Sequence, residues 1–233
     1  MEHTKKSVIC TYLLLTFLNT LATSFAYGIN TLFLLSAGLS NLQAFAANAF
    51  FTVGQVLFEI PTGIFADIKG RHLSFLLGAI TLAISTLFYV WLWHISGPFW
   101  GWVLVSIFLG LGYTFYSGAT EAWLVDALVA TQFEGTLESV FAKGQIATGI
   151  GMLAGSIAGG VIADYTNLGV PYLVRTAVLL ITFIVAYLLM VDLGFEAKRN
   201  VSPVMEIKKI LSATFKYGIK KSSVRWVVLS ELF

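Results

Sequence analysis

Asp67, Lys69 and Arg71 stand within one ten-residue stretch, Gly63-Ile64-Phe65-Ala66-Asp67-Ile68-Lys69-Gly70-Arg71-His72, that closes one long apolar run and opens the next. Charges placed where a chain leaves and re-enters a membrane serve ion pairing and topology rather than bond making. Gly63 lies four residues before Asp67 and four after Glu59, so the three share one helical face. Gly63 is expected to admit close approach by another helix. Gly70 lets the chain reverse, which brings Asp67 and Arg71 near enough to pair across a short charged turn.

Other residues able to do chemistry lie inside the apolar runs. Glu59, Glu121 and Lys143 are charges near the inner boundary of the second, fourth and fifth runs. A carboxylate there is costly unless paired or protonated. It therefore serves either proton coupling through Glu59 and Glu121, with a pKa raised by burial, or a structural cluster in which Lys143 pairs with Glu121 or Asp126. The second use is the simpler and is preferred. Tyr12, Thr16, Asn19, Thr23, Tyr27 and Asn30 recur at spacings of three and four, as do Tyr113, Ser117 and Thr120, with Tyr116 alongside. Lipid returns nothing for such stripes, so each is expected to line a bundle interior or a water-filled cavity, or to bond between helices. Catalysis has no equivalent set. The histidines are His3, His72 and His94, and no nucleophile–base pair, metal cluster or cofactor site can be assembled from them. No enzyme, metal, cofactor or nucleic-acid function is expected.

The elements that must position these residues follow from composition. The 233 residues are 58% hydrophobic and 11% charged, against about 25% charged in soluble domains, so too few charges remain for a water-facing surface. Cys10, the single cysteine, excludes a disulfide framework. Apolar runs at about Val8–Leu35, Gln43–Phe65, Leu73–His94, Phe99–Val125, Ser139–Ala163 and Tyr172–Val191 are each long enough to cross a bilayer as a helix. With the amino terminus in the cytoplasm, every Lys and Arg except Arg175 falls on the cytoplasmic side, as the positive-inside rule requires. The reading is an all-α membrane protein of six transmembrane helices over residues 1–193, in the cell membrane. A basic amphipathic linker over 194–225 follows, with Ile207, Leu211, Phe215 and Ile219 on one side, and 226–233 begins a seventh helix.

Gly63-Ile64-Phe65-Ala66-Asp67 ends the second run and Gly160-Val161-Ile162-Ala163-Asp164 ends the fifth. Equivalent places in two three-helix units of opposite direction make this an inverted repeat, as in secondary transporters. Gly151, Gly155 and Gly159 recur at four-residue spacing on the fifth run and are expected to pack it closely against a neighbour.

The stretch Gly63-x-x-x-Asp67-x-x-Gly70-Arg71-His72 resembles the loop motif between helices two and three of the major facilitator superfamily, with His72 where a basic residue is usual. Phe58-Glu59-Ile60-Pro61-Thr62 and the run from Ser117 to Asp126 are also similar to bacterial members. The resemblance implies the amino-terminal six-helix half of a transporter that alternates access, with a solute, protons and the lipid bilayer as partners and a carboxy-terminal half to complete it. It implies that Asp67, Arg71 and Asp126 form a network that locks one state, and that the stripes on the first and fourth helices line the substrate pathway. Gly151-x-x-x-Gly155-Ser156-x-x-Gly159-Gly160 resembles an antiporter motif with Ser156 in place of proline, which favours efflux of drugs or other small molecules. The arginine usual in helix four of proton-linked exporters is absent, so import of a metabolite stays open. Outside transport, the alternatives are an inactive truncated half and a non-transporting receptor or scaffold.

Overall fold

The computed structural model describes residues 4–195. The expected basic linker, from residue 196 on, and the expected start of a seventh helix lie outside the described residues. The described residues form helices α1 (Lys5–Tyr27), α2 (Asn30–Ser36), α3 (Asn41–Lys69), α4 (Arg71–His94), α5 (Phe99–Ala130), α6 (Leu137–Tyr165) and α7 (Val170–Leu189). All but α2 are long and apolar enough to cross a membrane, and helices satisfy their own backbone where no water reaches. This is a multi-pass α-helical membrane protein.

Local chemistry sets the helix ends. The Thr4 hydroxyl accepts from the Ser7 N–H at 3.3 Å to start α1. Ser40 and Gln43 close a reciprocal capping box at the start of α3, with bonds of 2.9 and 3.3 Å. Pro98 precedes α5, and Pro171 lies in the first turn of α7, where a missing N–H costs nothing. The first apolar run, expected as one span over Val8–Leu35, is instead two helices that part at Gly28 and Ile29. The Ile29 N–H bonds three residues back, to the Ala26 carbonyl, which tightens the turn there. Asn30 just beyond the break donates to Asn48 Oδ1 at 2.8 Å and accepts from the Tyr172 hydroxyl at 2.9 Å. Those bonds to α3 and α7 set the direction in which α2 leaves.

The expected charged turn is also shorter than the sequence suggested. Asp67 and Lys69 belong to the last turn of α3, Arg71 opens α4, and Gly70 alone separates the two helices at φ +108°. That backbone is open to glycine and strained for other residues. Likewise α5 continues through Asp126 to Ala130, so this carboxylate stands on a helix and not in a loop.

The helices pack in a pattern that an exchange of halves leaves unchanged. Take α1 to α4 as one three-span unit and α5, α6 and α7 as the other. Then α3 against α5 maps onto α6 against α1, α4 against α5 onto α7 against α1, and α4 against α7 onto itself. Three spans reverse the chain's direction, so the second unit is the first one inverted.

Glycines form the two equivalent seams. On α6, a methyl group added at Gly151 or Gly155 would come within 3.0 Å of the Phe17 carbonyl oxygen or 2.7 Å of the Leu21 carbonyl oxygen of α1, and at Gly159 it would strike the Phe25 carbonyl. On the α3–α5 seam the glycines come from both helices. Gly54 sits under the Ile107 carbonyl and Gly110 under the Phe51 carbonyl, each with only 2.5 Å to spare for a Cβ. Backbones this close replace the hydrophobic drive that lipid cannot supply. No described helix makes the close approach expected at Gly63: nothing lies within 4 Å of where its Cβ would be, and the same holds for its repeat partner Gly160. Both face away from the described bundle, so neither admits a neighbour within it.

Candidate functional site

At the end of the bundle that carries the motif, Gly70 turns the chain so that the Arg71 guanidinium reaches back over α3. Its Nη1 lies 2.6 Å from Asp67 Oδ1, and its Nε lies 3.7 Å from Asp126 Oδ2 on α5. The first is a charge-assisted bond; the second is an ion pair longer than a hydrogen bond. Asp67, Arg71 and Asp126 are thus brought together by three helices. Lys143, a candidate partner for Glu121 or Asp126, forms no salt bridge with either.

A fourth residue, Asp192, joins this end of the molecule, and the sequence reading assigned it no role. It follows the last turn of α7, and its Oδ1 accepts the backbone N–H of His72 at 2.9 Å. The first turn of α4 has no side-chain cap from Gly70, so Asp192 supplies one from the segment that follows α7. A Cβ at Gly70 would collide with the Asp192 carboxylate, a second reason for glycine there. Burial pushes the Asp192 carboxyl above its ordinary range, and the His72 N–H and the Arg71 charge oppose that shift. Nothing in local sequence could reveal this contact, because its partners are about 120 residues apart.

Two half-open cavities lie end to end along the bundle, with Tyr27, Tyr113, Ser117 and Glu121 exposed on their rims. The first, about 350 Å³, is nearer the motif end and is lined by Asn19, Thr23, Tyr27, Tyr113, Ser117, Thr120 and Glu121 among others. The second, about 530 Å³, is lined by Thr23, Tyr27, Asn30, Asn48, Gln55, Tyr113, Tyr172 and Arg175 among others. Thr23, Tyr27 and Tyr113 belong to both walls, so the two form one polar path along α1 and α5. Every residue of the two expected stripes named as lining a cavity lies on this path.

The sequence reading did not include the contributions of other helices: Gln145 and Thr148 of α6, Asn48 and Gln55 of α3, Tyr172 and Arg175 of α7. The members of each pair lie three or seven residues apart, on one helical face, so the same stripe criterion would have found them. The far end of the path is closed by packed rings. Phe33, fully buried, stacks on Tyr172 at 4.0 Å between centroids and on Trp93 at 5.7 Å. Tyr89 shares a 2.5 Å hydrogen bond with Ser106 beside them.

The two carboxylates considered for proton coupling differ in place. Glu121 stands on the wall of the first cavity. Glu59 is exposed on α3 and lines neither cavity, and Glu121 is exposed on the rim of its cavity, so the described residues bury neither carboxylate. Among the described residues no group of three or more His, Cys, Asp or Glu is placed to hold a metal ion.

A six-span bundle with inverted halves, a polar path and a charge network at one end has the architecture of a membrane transporter domain. The sequence profile described as Major Facilitator Superfamily matches residues 12–230, and the chain belongs to that superfamily. It is similar to an uncharacterized MFS-type transporter of Methanocaldococcus jannaschii, at 23% identity over 200 residues, which cover 86% of this chain and 50% of that protein. It is also similar to the multidrug resistance protein MdtG of Salmonella arizonae, at 31% over 141 residues, which cover 60% of this chain and 30% of that protein. MdtG of Salmonella typhimurium matches over the same length at 32%. The chain therefore spans half or less of the curated relatives it matches.

Proposed function

We propose that this chain forms one half of a secondary transporter that moves a small solute across the cell membrane by alternating access, in the direction of export. The observation that carries this reading is the continuous line of polar side chains from Glu121 to Arg175 along an open groove of an otherwise apolar bundle. Side chains such as Asn19, Thr23 and Tyr113 are costly in lipid and useful against a solute. The similarity to MdtG supports export. The charge distribution supports an amino terminus in the cytoplasm, with the Asp67–Arg71–Asp126 network at the cytoplasmic end. There the network holds α3, α4 and α5 in one arrangement and must loosen for the other to form. Its position on the wall of the first cavity supports Glu121, rather than Glu59, as the carboxylate for any proton coupling.

The test is growth of cells lacking their own exporters, with the chain expressed from its complete reading frame, on toxic compounds of each charge class. Expression is expected to raise tolerance to at least one class, and Asp67→Asn to remove that tolerance while membrane abundance stays at the wild-type level. Unchanged tolerance on every compound, or full activity of the Asp67→Asn variant, would sink the reading.

A further inference from the structure

Arg175 is the one Lys or Arg that departs from the charge asymmetry of the chain, and the transport mechanism above gives it no task. It lies in the second turn of α7, about 25 Å along the helix from Asp192 and so deep in the end opposite the charge network. A guanidinium inside a membrane span is costly and persists where a partner or a function holds it. No partner is present among the described residues. Arg175 forms no salt bridge, and its Nε is buried without a hydrogen-bond partner.

Its neighbours on the wall are already engaged elsewhere. The Tyr172 hydroxyl donates to Asn30 Oδ1, and the Tyr89 hydroxyl is bonded to Ser106. Asn30 in turn donates to Asn48. The residues lining the 530 Å³ cavity include Arg175 and no carboxylate. What remains is a cation without a bonded partner among the described residues, beside a network satisfied within itself, on the wall of a cavity whose other surfaces include the rings of Tyr27, Phe51, Tyr89, Tyr113 and Tyr172.

We propose that this cavity binds a small organic anion, with Arg175 as the counter-charge of a carboxylate or similar group and the surrounding rings against its apolar body. The guanidinium presents a planar fork of donors that fits a carboxylate in a two-point contact. The inference rests on the transport reading for its biological meaning, since it names the class of solute, but binding itself is measured without transport.

The experiment uses the protein expressed from its complete reading frame, purified into phosphatidylcholine nanodiscs and titrated calorimetrically with benzoate and with its neutral counterpart benzamide. Benzoate is expected to bind saturably and at least about tenfold more tightly than benzamide. Arg175→Gln is expected to weaken benzoate by about 10- to 100-fold and leave benzamide unchanged. Arg175→Lys, which keeps the charge and loses the fork, should fall between, and it guards against a glutamine variant that fails to fold. The inference is overturned if wild type takes up no benzoate, as when a carboxylate elsewhere in the protein already occupies Arg175. Equal affinity for benzoate and benzamide, or benzoate binding indifferent to both substitutions, also overturns it. Displacement of benzoate on adding phosphatidylglycerol would assign the site to a lipid headgroup and likewise reject the solute. Failure of transport and failure of anion binding are separate results: benzoate bound by a chain that confers no tolerance would count against the transport reading alone.

Discussion

Arg71 and Arg175 are both drawn into the protein with a buried Nε that lacks a hydrogen bond, yet their surroundings are opposite. Arg71 lies between two carboxylates, Asp67 at 2.6 Å and Asp126 at 3.7 Å, at the edge of the bundle. Arg175 lies in the interior with no ion pair among the described residues, on a cavity wall built from amides and phenols. A charge that is already paired can act only by being unpaired, which suits a latch. A charge held open can act by being paired, which suits recognition. On this proposal the same side chain serves movement at one end and cargo at the other.

The strongest way to break this contrast is to remove each charge while keeping its volume. Arg71→Met leaves Asp67 and Asp126 facing each other with no cation between them, and should lower stability by about 1–3 kcal/mol, a range reduced by their partial exposure. Arg175→Met removes an uncompensated charge and should leave the unliganded protein as stable as before or more so. Thermal unfolding of both in the same nanodiscs checks the pair. A large loss at Arg175 would mean that it has a structural partner, and the contrast would fail.

A smaller effect should separate the two carboxylates of the latch. Asp67 makes the short bond and is the less exposed, at 27% against 35%. Asp67→Asn should therefore slow transport about tenfold and Asp126→Asn only a few-fold, read as initial rates at equal abundance. Equal losses would place the pairing energy elsewhere in the network.

The smallest expected effect concerns Asp192, which ties α7 to the first turn of α4. Its carboxyl is raised in the folded state, so the folded protein holds this proton to higher pH than the unfolded chain does. The stability it contributes is present below the unfolded aspartate value of about 3.9 and is lost as pH rises through the raised folded value. The difference in stability between wild type and Asp192→Asn should fall along that slope as pH rises, weakened by partial exposure, and level off above it. A difference that grew with rising pH would show a carboxylate stabilised by its charge, contrary to the burial that raises it.

How much of this could be read from residues alone depended on distance along the chain. The spans were legible because each is a continuous apolar run, and the Asp67–Arg71 pair because it is local. The stripes on α1 and α5 were legible from their spacing. The split at Gly28 was not, since it depends on Asn30 meeting Asn48 and Tyr172 from other helices. Gly63 shows a related limit: a glycine says that close approach is possible, and only packing says where it happens. Gly54 and Gly110, which carry the α3–α5 seam, stand in runs with no motif around them. Asp192 and Arg175 acquire meaning from tertiary neighbours, although the charge asymmetry had already marked Arg175 as the exception.

The central claim is that Arg71 serves the motion and Arg175 the cargo. Its most direct test is transport of an anionic solute and its neutral counterpart by reconstituted protein, with Arg71→Gln and Arg175→Gln compared at equal abundance. The account predicts that Arg71→Gln lowers the maximal rate for both solutes alike, and that Arg175→Gln raises the half-saturating concentration for the anion alone. If the two substitutions produced the same change for both solutes, the division of labour between the two arginines would be wrong.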